Sequence, residues 1–374
     1  MFIMFDSSLI ENLSTQSDQY KNELLDLLRD ATNSMCHKNH YVSTVKSSVA
    51  KDFVDFAKKK NENTIANAFQ YIYEKFSILN SVRDNLNYVV SIGIYEKDFE
   101  IINKIIRINY SYALKQHFWD ETSLVLENID DDKYIKSIVD YEKNKPFIQE
   151  MKNIEYKYRK EQGGGNININ QTFLARLKEH SFILAFLDTD KKYPNDKYGP
   201  TANNFELDNT IIKYKNIFYY IPNVHEIENL FSSDGFMELS NYTIGARNKI
   251  KELEGKNIKD SNLFRAFLDI KKGYTYKTLD NEYLKDLFEI HNITLECDKY
   301  PPSPCPEKGC NKPKLLEAGK RTYLSDIFNN SELSDKFDSA ASSLIPEIRT
   351  EWEKICKIFI TSCCCNSDKV IGVN

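Results

Sequence analysis

Met1-Phe2-Ile3-Met4-Phe5-Asp6-Ser7-Ser8-Leu9-Ile10-Glu11 opens the chain, and the reading of this stretch decides the expected fold. Ser8 and Glu11 stand three residues apart, the spacing of a capping box that starts a helix. That leaves Met1, Phe2, Ile3, Met4 and Phe5 as an apolar arm ahead of the first helix. Farther along, Val42, Val45, Val49, Phe53 and Phe56 keep helical spacing, as do Phe99, Ile102, Ile106 and Tyr110, with charge on the opposite face. Pro146 suits the first turn of another helix, reaching about Gln162. The amino-terminal half therefore reads as helix after helix.

Residues 163–170, a glycine triplet and then alternating Asn and Ile, read as a hinge between residues 1–162 and a second region, 171–296. In that region the pattern predicts a helix over Thr172 to Leu187, a long loop over Asp188 to Asn204, and a strand over Ile211 to Ile221. Helices follow, marked by Leu263, Phe264, Phe267 and Leu268, then by Leu279, Tyr283, Leu287 and Phe288. Residues 297–374 form a Cys- and Pro-rich region, with an extended segment over Asp298 to Pro313 and a terminal helix through Ile348, Trp352, Ile355 and Phe359. The expected class is mainly α, a multi-helix building block with a few short strands.

At 374 residues the chain is long enough for a substantial core, and its net charge of -5 gives no nucleic-acid footprint. No stretch approaches the roughly twenty apolar residues of a membrane span, and the first residues lack a basic start and a cleavage site. An intracellular protein is expected. Seven of the eight cysteines lie from residue 297 onward: Cys297, Cys305, Cys310, Cys356, Cys363, Cys364 and Cys365. Adjacent cysteines bridge each other only with strain, so their partners lie elsewhere, and all seven are candidates for disulfides between chains. Inside a cell such bonds require delayed oxidation.

No P-loop, HExxH, GxSxG or dinucleotide glycine fingerprint is present. Asp188-Thr189-Asp190 begins like a calcium loop, but Lys192 falls where the third oxygen ligand belongs, and the stretch reads as a helix end. Cys36, His37 and His40 offer three ligand types for zinc without a CxxC, and the plainer reading is a helix end at the surface. Cys305 and Cys310 enclose a knuckle-like turn that could take zinc with Cys297 and His291; disulfide bonding is the preferred reading. No catalytic, cofactor-binding or metal residue is assigned, no cofactor is expected, and the chain reads as a non-enzyme.

An aromatic-rich, non-catalytic chain with an apolar arm at Met1 to Phe5 and cysteine clusters at Cys305 to Cys310 and Cys363 to Cys365 resembles viral occlusion-body matrix proteins, nearest a nudivirus polyhedrin. The resemblance implies self-assembly into a crystalline lattice in the infected cell, with copies of itself and virions as partners, released to the environment in occlusion bodies and dissolving in alkali. Forty-one of the fifty basic residues are Lys and nine are Arg, so a lattice joined by Lys, Tyr and Cys would lose cations and gain anions together as pH climbs. Two alternatives stand beside it: a protozoan interaction or antigen protein, and an enzyme of unrecognised family, which a pocket with convergent polar groups and shifted pKa values would reveal.

Overall fold

The computed structural model describes residues 1–115, 117–128, 131–143, 154–162, 169–179, 181–193, 196–200, 202–203, 217–230, 264–267, 274–275, 314–316 and 346–366. Residues Phe2–Phe5 are not an arm but an inner strand, β1, with every side chain buried. An unbroken apolar run suits a parallel strand covered on both faces. The capping-box reading fails because Asp6, not Ser8, is the cap: its carboxylate accepts from the Ser8 amide and closes one 3-10 turn over Ser7–Leu9. The first long helix, α1 (Asp18–Cys36), starts later, with Ser17 as its N-cap.

After α1 come β2 (Tyr41–Thr44), α2 (Ser47–Lys59), α3 (Asn63–Glu74), α4 (Phe76–Ser81) and β3 (Val89–Gly93). β1 pairs in parallel with β2, Phe2 opposite Tyr41, and with β3, Ile3 opposite Val90. The helix expected through Phe99, Ile102, Ile106 and Tyr110 is a hairpin, β4 (Phe99–Ile102) and β5 (Ile105–Asn109). Its turn is Asn103-Lys104, and Asn103 takes the left-handed φ of 57° that a tight hairpin turn requires. A two-residue turn reproduces a spacing of three and four by accident. The first sheet thus has the order β2-β1-β3-β5-β4, parallel except for β4.

After the short α5 (Tyr110–Ala113) come β6 (Thr122–Leu126), α6 (Asp131–Lys143), β7 (Glu155–Tyr156), β8 (Tyr158–Gln162), α7 (Ile169–Lys178), β9 (Ile183–Phe186) and β10 (Ile217–Tyr220), and all of these strands but β7 make a second sheet. The order is β10-β9-β6-β8, all parallel. Two helix expectations are corrected here: β7 and β8 occupy the stretch before Gln162, and the helix expected to reach Leu187 ends at Lys178. A short apolar run such as Ile183-Leu184-Ala185-Phe186 fits a buried strand and a buried helix equally by periodicity. The mainly α class is therefore replaced by an α/β class with two parallel sheets.

Two short strands, β11 (Tyr274–Thr275) and β12 (Lys314–Leu316), pair antiparallel. The terminal helix is present as α8 (Pro346–Cys363), packed on α6 and continuing into β13 (Cys364–Cys365), which pairs with β7. Its end is a seam between the two sheets: Thr122 of β6 donates to the Ser362 carbonyl at 2.6 Å, and the Asn87 amide just before β3 donates to Thr361 Oγ1 at 3.1 Å. One apolar core runs through both sheets and α8, while a smaller cluster, Val125, Phe173, Ile183, Ala185 and Leu187, includes residues of α7 and the second sheet. The strand expected over Ile211 to Ile221 is described only as β10, and the helix at Leu263 only as a 3-10 turn, Phe264–Phe267. The glycine triplet at 163–165, the helix at Leu279 to Phe288 and the proline segment Asp298 to Pro313 lie outside the described residues.

Candidate functional site

Both sheets are wound by one rule: the first strand is central, the second joins one side of it, and the third crosses to the other. In such sheets a crevice opens beyond the carboxyl ends of the strands where the winding direction reverses. In the second sheet that point lies between β6 and β9, aligned with Leu126 opposite Phe186. Each strand ends in an acid. Glu127 follows Leu126, and Asp188 follows Leu187.

Three more carboxylates converge there. Asp131 stands in the first turn of α6, where the helix dipole favours a negative charge. Glu226 and Glu228 come from the segment after β10, and both are buried. This segment is stitched to the one after β9: the Ile227 amide donates to Asp188 Oδ1 at 3.0 Å, the Asp190 amide donates to the His225 carbonyl at 2.9 Å, and Thr189 Oγ1 donates to the Val224 carbonyl. His225 Nδ1 lies 2.7 Å from the Lys191 carbonyl, which fixes the tautomer with hydrogen on Nδ1. Gly199 lies against Asp190 so closely that a Cβ there would overlap the carboxylate.

Asp188 is the focus of this crowd. Burial, then the charges of Glu228, Asp131, Glu127 and Glu226, raise its pKa well above the carboxylate range. As a residue Asp188 is partly exposed, while its carboxyl is densely surrounded. The neighbouring Asp132 faces away, accepting from the Tyr158 hydroxyl at 2.5 Å and paired with Lys160 of β8.

From behind, α8 braces the segment. Glu351 Oε2 accepts from the Tyr220 hydroxyl and from the Asn223 amide at 3.0 Å, its Oε1 pairs with Lys354 at 2.8 Å, and Trp352 Nε1 donates to the Leu230 carbonyl at 2.8 Å. A cavity of about 210 Å³, lined in part by Val224, Phe267, Ile348 and Glu351, lies between α8 and this segment.

The residues singled out by sequence lie elsewhere. Met1 to Phe5 are interior. Cys363, Cys364 and Cys365 are buried free thiols at the seam, where the Met1 ammonium donates to the Cys364 carbonyl at 2.7 Å. Cys356 is a buried free thiol too, beneath α6. Burial pushes Cys356 up to about 12 and Cys365 up to about 11, and raises Cys363 and Cys364. These four are inert protonated thiols that do not reach the surface of the folded chain. Cys297, Cys305 and Cys310 lie outside the described residues. His40 is fully buried with its pKa lowered by burial, so Cys36, His37 and His40 do not form a surface cluster. Among the described residues no three His, Cys, Asp or Glu side chains form a ready-made metal cage.

The acids of the crevice went unassigned in the sequence because each stands alone along the chain. Their one signal is position: an apolar run closed by an acid, at Leu124-Val125-Leu126-Glu127 and again at Ile183 to Asp188. Comparison with protein-family models, with curated proteins and with solved structures gives no match to this chain.

Proposed function

We propose that the chain is an enzyme acting on a phosphate-bearing substrate with a divalent cation held at the carboxyl edge of the second sheet. The observation that carries this reading is the convergence of Glu127, Asp131, Glu226 and Glu228 on Asp188 at the point where the sheet's winding reverses. A crowd of like charges raises the affinity of Asp188 for any positive partner, a proton or a metal ion. The donors are all oxygens, which suits a hard cation such as Mg²⁺ or Mn²⁺.

Two carboxylates at neighbouring strand ends suit Mg²⁺ in particular. That ion is usually held by one or two carboxylates, keeps several waters, and completes its shell with substrate phosphate. Asp188 and Glu127, at the ends of adjacent strands, are the ligands of choice. Once bound, the ion supplies charge stabilisation at a phosphoryl oxygen and a more acidic water. Asp188 would hold the cation, Asp131 and Glu228 keep the crevice negative, and the Ile227 amide holds the Asp188 carboxylate in one orientation. Glu351 fixes the segment that carries Glu226 and Glu228.

The test is calorimetric titration of the protein with Mg²⁺ and with Mn²⁺, beside hydrolysis of bis(4-nitrophenyl) phosphate. Binding and turnover that Asp188→Asn removes together are the expected result. Absence of both in the folded wild-type protein overturns the reading.

A self-assembling matrix protein of viral occlusion bodies is the second reading, favoured by one observation: Ile101 and Ile102 at the outer edge of the first sheet are 51% and 38% exposed. It would act without catalysis, with copies of itself and virions as partners. Its alkaline opening would fall to surface lysines, because desolvation raises the buried Tyr20 and the half-buried Tyr88, Tyr156, Tyr158 and Tyr220 above their ordinary value. Intracellular crystals on expression in insect cells, soluble only in alkali, are its expected result; a soluble protein at every pH counts against it.

A further inference from the structure

The cavity between α8 and the segment after β10 has a lining of two kinds. Val224, Ala266, Phe267 and Ile348 make an apolar wall, all of them buried, and Glu347 and Glu351 stand one helical turn apart on α8. Among the described residues that line it, two are carboxylates and none is a cation. An apolar hollow with a few placed polar groups is the usual form of a small-molecule site.

The two acids differ in what accounts for them. Glu347 is exposed in the first turn of α8, where the helix dipole favours a negative charge. Glu351 lies in the second turn and is 6% exposed. Its Oε2 serves the Tyr220 hydroxyl and the Asn223 amide, while Oε1 meets the Lys354 ammonium at 2.8 Å. A carboxylate oxygen accepts twice, so Oε1 has room for a second donor. Lys354 is itself exposed, and an ion pair with one partner in water is held weakly. An ammonium carried into the cavity on an apolar body makes the same bond and also buries that body against Phe267 and Ile348. An anion would meet two carboxylates there, and a neutral molecule would leave both uncompensated.

We infer that this cavity binds a small organic cation, a primary ammonium on a short aromatic chain, with the ammonium at Glu351 and Glu347 and the ring against Val224, Phe267 and Ile348. A volume of about 210 Å³ holds the ligand to one ring and a short side chain. The site is separate from the carboxylates around Asp188, and it does not depend on the activity proposed for them.

Calorimetric titration of the full chain with phenethylamine is the test, beside phenethyl alcohol and hydrocinnamate, which keep an aryl chain and replace the ammonium by a hydroxyl and a carboxylate. The amine should bind, the alcohol about tenfold more weakly, as loss of one charged hydrogen bond predicts, and hydrocinnamate not at all. Ala266→Leu fills the cavity and should abolish binding. Glu347→Lys, a change at the surface, should weaken it about tenfold by reversing a charge at the mouth. Lys354→Ala removes the competitor for Oε1 and should tighten binding about threefold, the scale of one exposed ion pair; damage to the fold produces no such gain. Absence of binding by the folded wild type at millimolar amine overturns the inference. So does equal binding of amine and carboxylate, or binding that Ala266→Leu and Lys354→Ala leave unchanged.

Discussion

At the carboxyl edge of the first sheet the crevice between β1 and β3 is filled by the chain itself. Ser8 Oγ accepts from the Ile94 amide, the Tyr95 and Ser91 hydroxyls bond each other at 2.9 Å, and Asp6 spends its carboxylate on the Ser8 amide. At the same place in the second sheet the closing side chains are acids, and they face one another. Winding alone does not make a site; what stands at the strand ends does. The first sheet is the scaffold against which the second presents its carboxylates.

If the first sheet is scaffold, damage there should appear as lost stability. Phe5 touches Phe53, Phe69 and Trp119 at ring-centroid distances of 5.7, 5.7 and 6.0 Å and is fully buried. Phe5→Ala should cost about 3–5 kcal/mol, as large cavities in aromatic cores do. Denaturant unfolding measures it. A loss under about 1 kcal/mol would restore the apolar-arm picture, in which these residues leave the core.

The sharpest contrast is between acids that follow strands flanking the two crevices. Asp188→Asn should lower turnover about a thousandfold, the scale on which losing several kcal/mol of metal-assisted stabilisation is felt. Asp6→Asn should leave turnover unchanged and cost only about 0.5–2 kcal/mol for a weakened cap. The sign of the stability change at Asp188 also separates scaffold from site. Its folded pKa is raised, so its contribution is full below the ordinary carboxylate range and lost as pH rises through the folded value. Near neutral pH the Asn variant should therefore be the more stable protein and the less active one. Equal turnover in wild type and variant would remove the second sheet's claim to be the site.

How far the sequence could be read follows the same division. The terminal helix, with Ile348, Trp352, Ile355 and Phe359 on one buried face, was legible because a long stripe of period 3.6 has one interpretation. The strands were not. Phe2 to Phe5 and Ile183 to Phe186 are buried on both faces and carry no alternation, and the β4–β5 turn shifted the apolar spacing into a helical one. The carboxylate site was illegible for a different reason: Glu127, Asp131, Asp188, Glu226 and Glu228 span about a hundred residues, and parallel pairing of β6 with β9 and of β9 with β10 gathers them. The cysteines drew attention by composition, yet Cys363, Cys364 and Cys365 serve the seam and Cys356 packs beneath α6.

The closed crevice can be probed with a single methyl group. A Cβ on Gly93 would lie 2.7 Å from the Tyr95 ring and 2.9 Å from Ser8 Oγ. Gly93→Ala should push Tyr95 off Ser91 and cost about 1–3 kcal/mol, the usual range for overpacking. Turnover in the other crevice should not change. Loss of turnover without loss of stability would mean that the two crevices communicate.

The smallest effect expected tests whether α6 couples site and seam. This helix carries Asp131 at its start and, about three turns on, the buried Glu142, which meets Arg349 of α8 at 3.2 Å. Burial raises the Glu142 carboxyl to about 7, opposed by Arg349 and assisted by Glu353. A raised folded pKa means that its stabilising share is complete below about 4.5 and falls away as pH climbs through about 7. Glu142→Gln keeps the shape and removes the titration. The unfolding free energy measured from pH 5 to 8 should decline less steeply in the variant, by on the order of 1–2 kcal/mol at the upper end. Parallel wild-type and variant curves would mean that Arg349 holds Glu142 ionised throughout, and the joint between α6 and α8 would then be a fixed strut.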